Sequence, residues 1–292
     1  MSSTLSNIFN TFASNSYVRG GQDFLQSNSI VAKFAFLVLA LIVFMLLLRI
    51  ATSILSYIFT PTSNPVLIDG LINAKQMLRI PQDPAKRNAK PILRSQNSDD
   101  GLEFTWAVWI YVDDFTYKLN EFKHVFHKGN DNINVTPGAT TLGMNYPNNG
   151  PGLYITPNEN NLLIVMNTFD KIQEDITVKD LPLNKWVHVV MRVSKQHQLD
   201  VYINGTLAKR HQLSGVPKQN YGDVYVSMNG GFSGYTSSLR YFSEALGTNQ
   251  IRSLLNDGPK LKVVGDESLN PKNITPQYLS TRWYFRGADD TN

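Results

Sequence analysis

Two neighbouring segments of strict alternation constrain this chain more than anything else in it. Val187, Val189, Met191 and Val193 fall on one side of an extended strand, and Leu199, Val201 and Ile203 repeat the pattern, because strand side chains alternate with period two. Asn204-Gly205 follows at once, a pair that accepts the positive φ angles of a two-residue hairpin, so the chain is predicted to reverse into residues 206–210. The whole stretch, 180–215, reads as half-buried antiparallel sheet and carries no reactive group.

The same texture extends over the residues around it. Phe104, Trp106, Val108, Ile110 and Val112 alternate with Thr105, Ala107, Trp109 and Tyr111, which predicts one strand with bulk on both faces. The segments HVFHKG, GLYITP and NLLIVMNT are short and punctuated by Gly, Pro or Asn. Short strands with no long amphipathic helix between them predict an all-β fold of two packed antiparallel sheets.

The N-terminal side obeys a different rule. Residues 34–48 read FAFLVLALIVFMLLL, and apolar character resumes after Arg49 through Phe59. Twelve residues of 34–48 are Leu, Ile, Phe or Val; at roughly 0.3–0.6 kcal/mol each, inserting them into a bilayer gains about 5 kcal/mol. Arg49 costs about 3 kcal/mol at most and less when its side chain snorkels, so insertion wins. The run begins too late for a cleaved signal peptide and ends in no small-residue cleavage site. Residues 30–59 are therefore expected to be a single-pass transmembrane helix with the lipid bilayer as its partner.

Residues 1–29 form a polar leader in which Leu5, Ile8, Phe9 and Phe12 stand at helical spacing. Arg19 and Lys33 before the span balance Lys75 and Arg79 after it; Lys86, Arg87, Lys90 and Arg94 tip the expected orientation toward a cytosolic sandwich. Residues 60–100, with Pro61, Pro65, Pro81, Pro84 and Pro91, read as a basic, semi-extended linker with room for a short helix over 66–80 and an edge strand over 92–95. The sandwich is placed at 101–258 and a tail at 259–292. The absence of cysteine excludes disulfides, thiolate metal sites and cysteine nucleophiles together. A net charge of +4, without a dense block of Lys and Arg, gives no nucleic-acid arm.

Taken in order, FTWAVWIYVDDF, HVFHKGN, GLYI, LPLNKWVHVVMRV, LDVYINGTL and FSGYTSSLRYFSEALGTNQI resemble the laminin-G-like members of the concanavalin A-like lectin and glucanase superfamily. The resemblance covers about 101–258 and implies a two-sheet jelly-roll sandwich with a short helical turn near 250–256 after the last strand. Where the family usually carries acidic residues this chain has Ser237 and Ser238, which leaves open the calcium dependence common among relatives; no cofactor is expected. An anchor followed by such a sandwich also resembles membrane or minor capsid proteins of large DNA viruses, which implies an assembly that ties an internal virion membrane to a protein shell.

The chemistry of hydrolysis finds little support. A retaining glycosidase needs two carboxylates about 5 Å apart, hence acids at i and i+2 or i+4 on one strand face. Glu174 and Asp175 are adjacent and point to opposite faces, and Asp113 and Asp114 end a strand. His124 and His127, three apart in a strand, are expected on opposite faces and thus not as joint metal ligands. His188 reads as a packed histidine beside Trp186, and Asn130, Asp131, Asn132 and Asn134 as a polar turn. No catalytic or metal-binding residue is expected.

Recognition remains. Trp109 and Tyr111 point away from the Trp106 side, Tyr235 and Tyr241 share a face of the strand after Gly234, and Trp283, Tyr284 and Phe285 cluster in the tail. Flat ring area suits a protein partner or a sugar ring. The expected function is a non-catalytic, membrane-anchored structural protein docking on other proteins of a large assembly. A membrane-tethered lectin that binds glycans is the alternative, with an anchored glycosidase behind both.

Overall fold

The computed structural model describes residues 29–59, 61–95, 97–98 and 101–264. The amphipathic reading of Leu5, Ile8, Phe9 and Phe12 and the tail cluster of Trp283, Tyr284 and Phe285 lie outside the described residues. The chain forms two compact units, Met1–Thr60 and Pro61–Asn292.

The first unit contains helix α1, Ile30–Phe59. Ser29 Oγ accepts the Ala32 N–H at 3.0 Å, satisfying one of the free amide donors at the helix start. Thirty residues at 1.5 Å rise give a rod of about 45 Å, and its Leu, Ile, Val and Phe side chains are exposed on every side. Length and composition suffice to cross a membrane.

The second unit is a sandwich of two six-stranded antiparallel sheets. In chain order its strands are β1 (Leu71–Asn73), β2 (Leu78–Ile80), β3 (Asn97–Ser98), β4 (Gly101–Leu102), β5 (Phe104–Asp114), β6 (Lys123–Gly129), β7 (Gly152–Ile155), β8 (Leu162–Met166), β9 (Glu174–Val178), β10 (Trp186–Ser194), β11 (Gln198–Ile203), β12 (Thr206–Gln212), β13 (Asp223–Val226) and β14 (Ser233–Phe242). One sheet runs β1-β14-β5-β10-β11-β12 and the other β2-β13-β6-β7-β8-β9, with β3 and β4 as a separate ribbon. Helix α2, Thr248–Asp257, follows the last strand, where a short helical turn was expected.

The expected core faces are the observed ones. Val187, Val189, Met191, Val193, Leu199 and Val201 are buried between the sheets, and Ile203 packs at their edge. Asn204 and Gly205 take φ of 48° and 77° and close the predicted hairpin, with Asn204 Oδ1 accepting the His188 N–H at 2.9 Å. At the centre of the core, Trp106 stacks on Phe126 of the opposite sheet at 5.2 Å and meets Tyr241 edge-on at 5.2 Å.

The segment read as a linker belongs to the sandwich instead. Its residues form β1, hydrogen-bonded to β14, and β2, hydrogen-bonded to β13, so one short strand joins each sheet; neither a helix over 66–80 nor a strand over 92–95 forms. Leu67, Ile68, Ala74 and Ile80 are buried in the main core, and Lys90 Nζ donates to the carbonyls of Val66 and Leu67, each at 2.8 Å. The prolines are compatible because Pro65 and Pro81 flank these short strands and leave their ladders intact. The start of the tail is also structural: Leu71 N–H donates to Lys262 O at 2.7 Å and Val264 N–H to Leu71 O at 2.9 Å, beside β1.

Candidate aromatic recognition face

The outer face of the first sheet is divided in two. Over one end lies α2, whose Ile251 and Leu254 pack on Ala107, Val190 and Tyr202. Its end, with Asp257 and Gly258, closes over Trp109, His188, Ser238 and Arg240 around a cavity of about 10 Å³, room for about one water. Ser237 Oγ donates to Lys260 O at 2.8 Å, which extends the cover toward β1.

The other end carries a row of rings. The register sets Trp186 of β10 opposite Tyr111 of β5, and Tyr111 opposite Tyr235 of β14. Ring centroids are 5.5 Å apart for Tyr111 and Trp186, and 6.4 Å for Tyr111 and Tyr235, both pairs tilted by about 50°. Tyr235 is 40% exposed and Tyr111 and Trp186 are half-buried. Asn73 of β1 continues the row beside Tyr235, and the exposed Asp113 and Lys185 stand next along β5 and before β10. The result is an aromatic strip with a polar rim, the composition typical of recognition surfaces.

The expected site residues are thus sorted by the structure. Tyr111 and Tyr235 come together. Trp109 does point outward, but it is only 7% exposed because α2 covers it, and it stacks on His188 at 4.7 Å instead of meeting solvent. Burial, with Arg240 nearby, pushes His188 down to about 4. Tyr241 faces the opposite way from Tyr235 and is buried in the core at 4% exposure. The reason is a β-bulge: Ser237 pairs with Trp109 and Arg240 with Ala107, so β14 carries one extra residue there, with Ser238 at φ 51°. An extra residue inverts the parity of everything after it. Trp186 completes the strip and was passed over as a candidate; its i, i+2 spacing to His188 put it on the outer face, and only the pairing with Tyr111 shows what it stands beside.

A second bulge corrects the reading of the histidines. β6 pairs His124 with Tyr154 and Phe126 with Leu153, leaving Val125 extra, so His124 and His127 lie on the same face. They are hydrogen-bonded to each other at 2.6 Å and fully buried.

A second concavity, of about 650 Å³, opens between loops at the sandwich rim, lined by Phe115, Asn158, Glu159, Asn160, Asn161, Asp180 and their neighbours. Its amides hold the loops to each other: Asn160 Nδ2 donates to Leu181 O at 3.1 Å, and Asn161 Oδ1 accepts the Asp180 N–H at 3.2 Å. No group of three or more His, Asp or Glu that could hold a metal occurs among the described residues.

Solved structures similar to part of the chain include the receptor-binding domain of botulinum neurotoxin C/D mosaic serotype (13% identity, TM-score 0.42, 55% of this chain and 37% of that one) and the ligand-binding domain of botulinum neurotoxin serotype D in complex with N-acetylneuraminic acid (12%, 0.42, 54% and 37%). The chain spans a little over a third of the length of each. A search of curated proteins finds no match. The laminin-G-type family model described as the concanavalin A-like lectin/glucanases superfamily matches residues 90–252, more than half of the sequence. By that match, and by the two-sheet antiparallel sandwich that bears it, the chain belongs to the concanavalin A-like lectin/glucanases superfamily.

Proposed function

We propose that the protein is a non-catalytic recognition module carried on a membrane anchor, with α1 in the bilayer and the Trp186-Tyr111-Tyr235 strip as its docking face for a protein partner. The observation that carries this reading is the strip itself: three rings aligned across three strands, beside a stretch of the same sheet face that α2 covers. Rings ordered in advance by their neighbours lose little side-chain entropy on binding, and a flat strip on a rigid sheet suits another protein surface better than it suits a reaction. A membrane-associated assembly is the setting this reading favours, a virion with an internal membrane being one instance.

The test is a photo-crosslinking residue placed at Tyr235 in the full-length protein in its native membranes, with the exposed Lys209 of β12 as the control position. Discrete protein adducts at 235 that are absent at 209 and lost in Trp186→Ala support the reading; identical labelling at both positions overturns it.

The rim cleft favours a second reading, carbohydrate binding. Its Asn, Glu and Asp side chains offer hydrogen-bonding groups beside the ring of Phe115, the pairing that a sugar's hydroxyl and C–H faces require. A glycan array probed with the full chain in detergent separates the two readings: retention lost in Asn160→Ala but kept in Trp186→Ala selects the cleft.

A further inference from the structure

Between Phe34 and Tyr57 four polar side chains interrupt the apolar surface of α1: Arg49, Thr52, Ser53 and Ser56. They stand at i, i+3, i+4 and i+7, so at 100° per residue they fall within an arc of about 100°. All other residues from 34 to 56 are Ala, Val, Leu, Ile, Met or Phe. A guanidinium and three small hydroxyl side chains therefore share one face of a helix whose residues 34–56 are otherwise apolar.

The position of Arg49 asks for a partner. It lies ten residues before Phe59, about 15 Å along the axis from the C-terminal end of the helix, in a hydrocarbon layer about 30 Å thick. Helical Cα–Cβ bonds tilt toward the N-terminus, so the Arg49 side chain sets out toward the middle of the bilayer, away from the nearer headgroups. Thr52 is neutral and supplies no counter-charge, and its hydroxyl donates back to the carbonyls of Leu48 and Arg49 at 2.9 and 3.0 Å. Small side chains at positions 52, 53 and 56 allow a neighbouring backbone to approach closely on the face that carries Arg49.

We infer that α1 pairs through the Arg49-Thr52-Ser53-Ser56 face with a second, different membrane helix that presents a carboxylate at the depth of Arg49. This rests on the reading of α1 as a membrane anchor. A second copy of this chain does not fit, because a parallel symmetric pair on this face sets Arg49 against Arg49. An anionic lipid phosphate is the competing occupant, and it leaves the three small residues on the same face without a role.

The test uses the full-length protein in phosphatidylcholine vesicles and energy transfer to a leucine-based probe helix carrying one Glu at matching depth. Association roughly tenfold tighter than with the all-leucine probe is expected, and the difference is lost in Arg49→Leu. It is not restored by Leu47→Arg in that background, because residue 47 lies on the opposite side of the helix. Equal association of both probes, full rescue by Leu47→Arg, or loss of the preference once anionic lipid is added overturns the proposal, the last in favour of the phosphate. Alkaline extraction and protease protection are run on the same vesicles: a helix that fails to insert refutes the anchor itself, whereas an inserted helix indifferent to the Glu refutes only the pairing.

Discussion

His124 Nε2 lies 2.6 Å from His127 Nδ1, and the contacts at either end fix which nitrogen holds each proton. Met228 N–H donates to His124 Nδ1 at 3.1 Å, so His124 carries its proton on Nε2 and gives it to His127 Nδ1; His127 Nε2–H then donates to Asn130 O at 2.7 Å. Tyr154 meets the first ring edge-on and Tyr225 stacks on the second. Three chain segments are held by a relay that works only while both rings are neutral.

Acid is expected to break this relay. Burial pushes His127 down to about 4, and burial together with His127 holds His124 well below its ordinary value. A histidine whose folded value is depressed stabilises the fold above its unfolded value of 6.5, and that contribution is lost as pH falls toward 4. For His127 alone the loss is about 3 kcal/mol. Urea midpoints between pH 7 and pH 4 should fall steeply, and less so in His127→Gln, with His188 accounting for part of the remainder. A slope unchanged by His127→Gln contradicts the relay.

Glu174 ties the two edge strands of the sandwich together. Its carboxylate accepts His211 Nε2–H of β12 at 2.9 Å, the Ser214 hydroxyl at 2.7 Å and the Ser214 N–H at 3.1 Å. Burial alone raises its pKa, and the Ser214 and His211 hydrogen bonds outweigh that, so the carboxyl titrates below its ordinary 4.5. Its stabilisation is thus present above pH 4.5 and lost as pH drops through the folded value. Glu174→Gln should cost about 1–3 kcal/mol at pH 7, a gap that closes near pH 3. A gap equally wide at both pH values speaks against the charged latch.

Gly234 is the residue on which the aromatic strip hangs. It has φ 138°, and a Cβ there would sit 1.8 Å from the carbonyl oxygen of Tyr111. Gly234→Ala is expected to lower stability by about 2–4 kcal/mol and to displace Tyr235 from Tyr111. Thermal melting with tyrosine and tryptophan fluorescence reads both effects; a wild-type melting temperature refutes the assignment.

The strip should matter for binding more than for folding. Trp186→Ala combined with Tyr235→Ala is expected to weaken partner association at least tenfold, about 1.4 kcal/mol, while stability changes by about 1 kcal/mol or less because both rings are partly solvated. The check pairs crosslinking yield with chemical denaturation on the same preparations. Lost binding accompanied by a collapse of the fold would show that the rings serve the sheet and not a partner.

Strand identity and the core faces were legible in the sequence. Alternation at Val187, Val189, Met191 and Val193 can be satisfied only by a strand with one side buried, and Asn204-Gly205 only by a tight reversal, so local chemistry left no freedom at those places. The uncharged run of residues 34–48 likewise admits one structure, a long helix. Tyr111 could be named from parity alone because no bulge lies between it and Trp106 in β5 where that strand pairs with β10.

Parity failed wherever the tertiary structure inserted a residue. Tyr241 and the His124-His127 pair were assigned to the wrong faces because the extra residues at Ser238 and Val125 leave no mark in the residue pattern; a bulge is decided by how a strand meets its partners. Trp109 lost its exposure to α2, which begins 139 residues later in the chain, and the proline-rich segment became two sheet strands because its Leu67, Ile68 and Ile80 found an open core edge. The sequence by itself determined which segments extend, which one is greasy enough for lipid, and which faces seek burial, because these follow from neighbours along the chain. Which outward rings stay uncovered was settled only by three-dimensional packing, because cover comes from residues far away in sequence whose position no local pattern encodes.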